Sequence, residues 1–420
     1  MDTGPLVIRS DRMVDIDAGE IVESATIVVE GDRITDVNPS TLPSNARVID
    51  LGDMTLLPGL MDMEVNLMMG GPGERGGRTA VSDTPADKLL RGTVNARTTL
   101  LAGFTTVRNL GLFMPTGGLL LDVSLGRAIE RGWMIGPRIV PAGHAITPLG
   151  GHLDPTMFEG LAPGIMTLSV EEGQANGIDE VRRAVRYQIK YGAKVIKVCA
   201  SGGIMSHTGP AGAQQYSTDE LRAITDEAHR AGLKVAAHAH GDDGIRAAIE
   251  VGIDCIEHGS LMSDDTLALA KSRGTFLVAT TYLADGMDLT RAAPALQAKA
   301  AEVFPRAREM VSKAIQADLL VCCGTDAPAI PHGQNAKELT ALVDRGASPL
   351  FALRAATTTA ARLIDADDRA RLAPGLLADI IAVPGNPLTD ISVCEDVQFV
   401  CKGGEVFKHP ASFADNLMTP

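Results

Sequence analysis

Residues 193–203 read AKVIKVCASGG, residues 217–232 read STDELRAITDEAHRAG and residues 234–245 read KVAAHAHGDDGI. The first and third are short apolar runs, each closed by small or polar residues. The second places apolar residues three and four positions apart. It opens on Ser217 three positions before Glu220, a capping box, and ends at Gly232. Strand, helix and strand in that order predict two parallel strands joined by a helical crossover, because parallel neighbours cannot be linked by a tight turn.

The same alternation runs outward in both directions. Candidate strands fall at 57–67, 104–110, 138–146, 194–200, 234–240, 254–259, 275–281 and 320–325, and IDEVRRAVRYQIKYG (178–192) is another clear amphipathic helix. Eight such units in series predict an α/β fold, a (β/α)8 TIM barrel, since a parallel sheet must be covered by its own crossover helices. Different patterns flank this region. PLVIRSDRMVD (5–15), ATIVVEGDRITDV (25–37) and ARVIDLGDMTLLPG (46–59) alternate apolar and polar residues, and so do ADIIAVPGN (378–386) and VQFVCKGGEVFK (397–408). They predict a small β-sandwich built from residues 1–55 and 366–420, around a barrel of residues 56–365. The glycine-rich MMGGPGERGGRTA (68–80) reads as a flexible loop after the first barrel strand.

The length of 420 residues suits a barrel of about 250 residues plus an accessory domain. With 38 Lys and Arg against 52 Asp and Glu, the formal charge of −14 disfavours nucleic acid or an anionic membrane as partner. MDTGPLVIRSDRMVD lacks a basic start followed by an apolar run, and no apolar run reaches about 18 residues, so a soluble chain without signal peptide or membrane span is expected. Cys199, Cys255, Cys322, Cys323, Cys394 and Cys401 have no CxxC spacing and read as reduced residues of a cytoplasmic protein.

In such a barrel the carboxyl ends of the strands build the functional face. Here strand 4 carries Lys197, strand 5 ends in His238-Ala239-His240, strand 6 in Glu257-His258-Gly259, and strand 8 in Gly324-Thr325-Asp326. Each has a plain structural reading, as a hydrogen-bonded core histidine or a helix cap. A lysine inside an apolar strand is costly unless paired, and four such strand ends on one face favour a shared metal site.

These residues carry a likeness. LLPGLMDMEVNL (56–67), AGFTTVRNLG (102–111), GPRIVPAGHAIT (136–147), AKVIKVCASGG, KVAAHAHGDDGI, IEHGSL (256–261), GTDAPAIPHGQN (324–335), LRAATTTAARLI (353–364) and LADIIAVPGNPL (377–388) together resemble the amidohydrolase superfamily. The nearest branch is that of imidazolonepropionase-like proteins, prolidase-like dipeptidases and ochratoxinase-type amidases. The resemblance implies metal ligands at Lys197 (as a carbamate bridging two metals), His238, His258 and Asp326. It makes Asp326 the general base and acid, and His238 and His258 part of the catalytic set. His240, His152 and Tyr282 are then expected near the substrate, although each also has a packing or loop-binding reading.

One strand departs from the likeness. The family reads His-x-His on strand 1, where this chain has Glu64-Val65-Asn66, and Asn109 stands where aspartate is frequent. An amide oxygen at Asn66 is a poor zinc ligand and is expected nearer the substrate, whereas Glu64 suits a harder cation. Some N-acetylglucosamine-6-phosphate deacetylases similarly carry Gln-x-Asn there and use one metal. The resemblance therefore implies one tightly bound divalent ion rather than two, zinc before Mn or Co. It leaves Lys197 as a carbamate, the favoured form because His238 and His258 alone leave the metal short of protein ligands, or as an ammonium paired with Glu64. The implied function is hydrolysis of a C–N bond in a small molecule (amide, N-acyl amino acid, dipeptide, carbamate or urea) by a homo-oligomer. The alternatives are a non-hydrolytic lyase or isomerase and a degenerate binding protein on the same barrel.

Overall fold

The computed structural model describes residues 4–70, 82–154, 167–206, 209–290 and 292–410. Most of the glycine-rich stretch expected to be a flexible loop lies outside the described residues.

Both flanks enter one eight-stranded sheet. Its strands are β1 (Leu6–Asp15), β2 (Glu20–Glu30), β3 (Arg33–Val37), β4 (Arg47–Asp50) and β5 (Thr55–Pro58) from the N-terminal side. From the C-terminal side come β14 (Ile380–Val383), β15 (Phe399–Lys402) and β16 (Glu405–Lys408). β14 pairs antiparallel with β5, Ile381 opposite Leu57, so the join between the chain's two ends is made by backbone hydrogen bonds. Ile8, Ile27, Ile34, Leu56, Ile380 and Phe399 pack into a shared apolar cluster of this sheet, as their period-two spacing requires.

Between the flanks lie β6 (Leu60–Val65), β7 (Phe104–Asn109), β8 (Arg138–Pro141), β9 (Ile196–Cys199), β10 (Val235–Ala239), β11 (Cys255–His258), β12 (Phe276–Val278) and β13 (Leu320–Cys322). The intervening helices are α1 (Pro85–Leu101), α2 (Leu121–Glu130), α3 (Gly177–Tyr191), α4 (Thr218–Arg230), α5 (Asp242–Glu250), α6 (Asp264–Arg273), the short α7 (Leu283–Gly286) and α8 (Pro294–Gln316). Ser217 caps α4 and Glu220 returns the bond to the Ser217 backbone N–H at 2.9 Å, as the sequence predicts. Every strand pair within β6–β7–β8 and within β9–β13 is parallel.

Backbone bonds also run between these two sheets. On one side Val65 bridges Ala327, and the Asp326 N–H donates to the Glu64 carbonyl at 2.8 Å. On the other, Ile146 bridges Val198 in parallel. The architecture fits a TIM-barrel-type fold. Strand 3 is shorter than the expected 138–146: after Pro141 the chain turns at Gly143 (φ +69°) and makes only isolated bridges beyond it, His144 to Leu112 and Ile146 to Val198. Strand 7 likewise stops at Val278, before Thr280 (φ +45°).

Gly324 is required where strands 1 and 8 meet. A Cβ there would lie 2.1 Å from Val278 Cγ1 and 3.2 Å from the Glu64 backbone nitrogen. Beside it, the buried Asp62 carboxylate accepts from the Glu64 N–H (3.0 Å), the Thr325 N–H (3.1 Å), the Thr325 hydroxyl (2.6 Å) and the Asn335 amide (2.7 Å). Burial pushes its carboxyl up to about 6 in spite of these bonds. Asp62→Ala is expected to destabilise the fold by about 3 kcal/mol, because four buried donors lose their acceptor. Denaturant unfolding measures this, and a change within about 0.5 kcal/mol would contradict the role.

Candidate metal centre

The strands that carry the candidate ligands are buried along their whole length. β9 is IKVC, β10 VAAHA and β11 CIEH. Register brings them together: Ala236 lies opposite Lys197, and Ala239 opposite His258. A period of two would send Glu257 and His258 to opposite faces. His258 has φ +70°, however, and both side chains reach across towards β6 and β7. Asp326 (φ +53°) and Thr280 (φ +45°) share this left-handed backbone at neighbouring strand ends. Such conformations cost of order 1–3 kcal/mol each in non-glycine residues and gather at functional sites.

Three imidazoles converge there. One nitrogen each of His238, His240 and His258 lies within 4.8 Å of the others, and all three residues are buried. The rings of His240 and His258 stack at 4.8 Å, with His238 edge-on to both. Thr280 Oγ1 lies 2.8 Å from His258 Nδ1, and Ser260 Oγ lies 2.9 Å from His240 Nδ1. These contacts orient the two rings and leave each Nε2 for a ligand. His238 Nε2 is buried without a hydrogen-bond partner. Burial, and then the neighbouring positive charges, hold His238 and His240 well below the usual histidine range, and burial brings His258 down to about 3. The imidazoles are therefore neutral at physiological pH, which is the state a metal ion needs. The donor set and the orphaned His238 nitrogen fit a divalent metal.

Around this cluster the charges alternate. Lys197 Nζ donates to Glu64 Oε1 at 3.0 Å, and the same oxygen lies 3.8 Å from His258 Nε2. Burial is the largest influence on the Lys197 ammonium and opposes it, but Glu64, Glu257 and Cys199 together outweigh it and the net shift is upward. Asn66 donates to Asp326 Oδ1 at 2.9 Å. Loss of water around the Asp326 carboxyl, and then the Glu64 charge, hold it well above the usual carboxylate range. Deeper in, Arg108 is fully buried, donating to Glu257 Oε1 at 2.9 Å and to the Met63 carbonyl at 2.7 Å.

His152 stacks on His238 with ring centroids 3.9 Å apart, and Ser206 Oγ lies 2.7 Å from its Nδ1. Gly203 makes room for it, since a Cβ there would come within 2.3 Å of the His152 ring. Tyr282 sits further out, at the start of α7. Its N–H donates to Glu338 at 2.8 Å and its ring lies 5.5 Å from Lys337 Nζ. Asn109 binds the Leu67 N–H at 2.8 Å and Asp122 at 3.3 Å, so it braces the strand 1 end. Sequence reasoning did not single out Asp62, Ser206, Ser260 or Thr280. Only the hydroxyl residues just past strands 6 and 7 offered a signal, since ligand imidazoles need an outer partner.

Comparison with known proteins extends the geometry. The model described as Amidohydrolase family matches residues 55–407. An ochratoxinase of Aspergillus niger is 34% identical over 384 residues, covering 84% of this chain and 76% of that protein. A crystal structure of a Xaa-Pro dipeptidase with bound methionine in the active site has a TM-score of 0.88 at 34% identity, over 96% of this chain and 100% of its own. The A. niger ochratoxinase structure has a TM-score of 0.83 at 30% identity, over 97% and 96%.

Proposed function

This chain belongs to the amidohydrolase family and is a hydrolase acting on C–N bonds, and we propose that it cleaves a small-molecule amide at a single divalent ion. The convergence of His238, His240 and His258 carries this reading. A bound ion would supply Lewis acidity, making its water acidic and polarising the scissile carbonyl. We assign His238 and His258 as ligands, His240 as the nearest third imidazole, and zinc before Mn or Co, since neutral nitrogen donors suit zinc.

Asp326, held by Asn66, takes the proton from the attacking water and delivers it to the leaving nitrogen. His152, stacked over His238, bounds the substrate side of the cluster, with Asn66 opposite near Asp326. Tyr282 contributes from the rim. Likeness to a Xaa-Pro dipeptidase and an ochratoxinase supports an amide, dipeptide or N-acyl amino acid before a carbamate or urea. We further propose that the eight strands close as a full barrel over residues 56–365, with residues 1–55 and 366–420 as a sandwich beside it. The six buried cysteines, none in a disulfide, support a cytoplasmic setting. Exposed apolar side chains at Leu90, Val94, Trp133 and Ile135 support a homo-oligomer. No helix among the described residues is long and apolar enough to cross a membrane.

Metal analysis joined to a hydrolysis screen of dipeptides, N-acyl amino acids, carbamates and ureas tests the function. A metal-bearing protein inert to all of them would count against it. Asp326→Asn is expected to keep most of its metal while turnover falls by about 10²-fold, because the proton acceptor is lost with little change of shape. Near-full activity in that variant would refute the assigned role.

A further inference from the structure

Glu64 and Lys197 face each other across the sheets, 133 residues apart in sequence, with Nζ and Oε1 at 3.0 Å and both residues buried. The other carboxylate oxygen, Glu64 Oε2, is buried with no hydrogen-bond partner. A carboxylate at position 64 adds a negative charge to a mouth that already holds Asp326, and an ammonium on Lys197 cancels it. A carbamate there would instead set a second anion against Glu64. Arg108 offers no relief, since its guanidinium is already engaged by Glu257.

The need for a carbamate ligand is also removed. His240 stands with His238 and His258 as a third neutral nitrogen donor, and three imidazoles with one water complete a tetrahedral zinc set. Converting the ammonium to a carbamate would place two anions in direct contact in a buried site, which is strongly disfavoured.

We propose that Lys197 remains an unmodified ammonium, and that its ion pair with Glu64 permanently replaces a second metal ion. Carbamate formation requires the neutral amine to attack carbon dioxide, forming an N–C bond and releasing a proton. The 3.0 Å hydrogen bond to Glu64 Oε1 engages that nitrogen as a donor to a buried carboxylate. The proposal rests on the single-metal reading above, but its test reads no catalysis.

Chelated, metal-free protein is reloaded with zinc in carbon dioxide-free buffer, with and without 13C-bicarbonate. The expected result is about one ion per chain in both arms, and no carbamate carbon resonance that a Lys197→Arg control lacks. The neutral pair Lys197→Met with Glu64→Gln is expected to retain one zinc, its fold checked by circular dichroism. Bicarbonate-dependent loading, a carbamate resonance abolished in Lys197→Arg, two ions per chain in the unmodified protein, or loss of zinc from the folded double variant would each overturn the proposal. Failure to bind zinc in any arm would instead defeat the metal reading, and the carbon spectrum would then decide the state of Lys197 alone.

Discussion

His238→Ala and His258→Ala are each expected to lose tightly held metal and amide hydrolysis together. Each removes a buried neutral nitrogen from a cluster of three. Loss of an outer partner such as Thr280 or Ser260 costs about 10–100-fold in metal affinity or activity, and loss of a ligand itself should exceed that. Metal content by mass spectrometry after dialysis, read beside turnover on the best amide, checks both effects. The folds should survive, because each change removes a desolvated polar ring rather than an apolar core residue. A His238→Ala protein that keeps one metal ion per chain would remove that histidine from the site.

Arg108→Met should be the most destabilising single change outside the ligands, at about 3–5 kcal/mol. Glu257 would be left as an unpaired buried carboxylate, and the Met63 carbonyl would lose its donor. Adding Glu257→Gln should recover much of the loss, since a buried ion pair is expensive chiefly when half of it is removed. Guanidinium unfolding of the single and double variants decides the matter. Equal stability in both would show that Arg108 acts through packing alone.

Legibility differed between parts of the molecule for physical reasons. The βα units could be read because hydrophobic period and capping are local: Ser217, Glu220 and Gly232 mark the ends of α4 with no help from elsewhere. Strand ends were less clear. The early stops at Pro141 and Val278 follow from positive φ at Gly143 and Thr280, and a non-glycine residue such as Thr280 gives no warning of it. His240 was legible as a polar strand end but not as a third member of the imidazole cluster. Its place depends on Ser260, which holds the ring from the next strand's loop.

Sequence by itself determined the series of parallel strands, the joining of both flanks, and the kinds of atom at the strand ends, because these follow from local periodicity and residue chemistry. Only the tertiary structure decided which charges meet. Glu64 was visible as a substitution for a histidine, and Lys197 as a costly lysine in an apolar strand. Their pairing was one of two readings the sequence left open, beside a carbamate on Lys197. Their 3.0 Å contact exists because β6 and β9 turn the two side chains into the same dry interior, where a buried charge must find its opposite. The inward turn of both Glu257 and His258 belongs to the same class, since one left-handed residue at a strand end overrides the alternation that sequence pattern assumes.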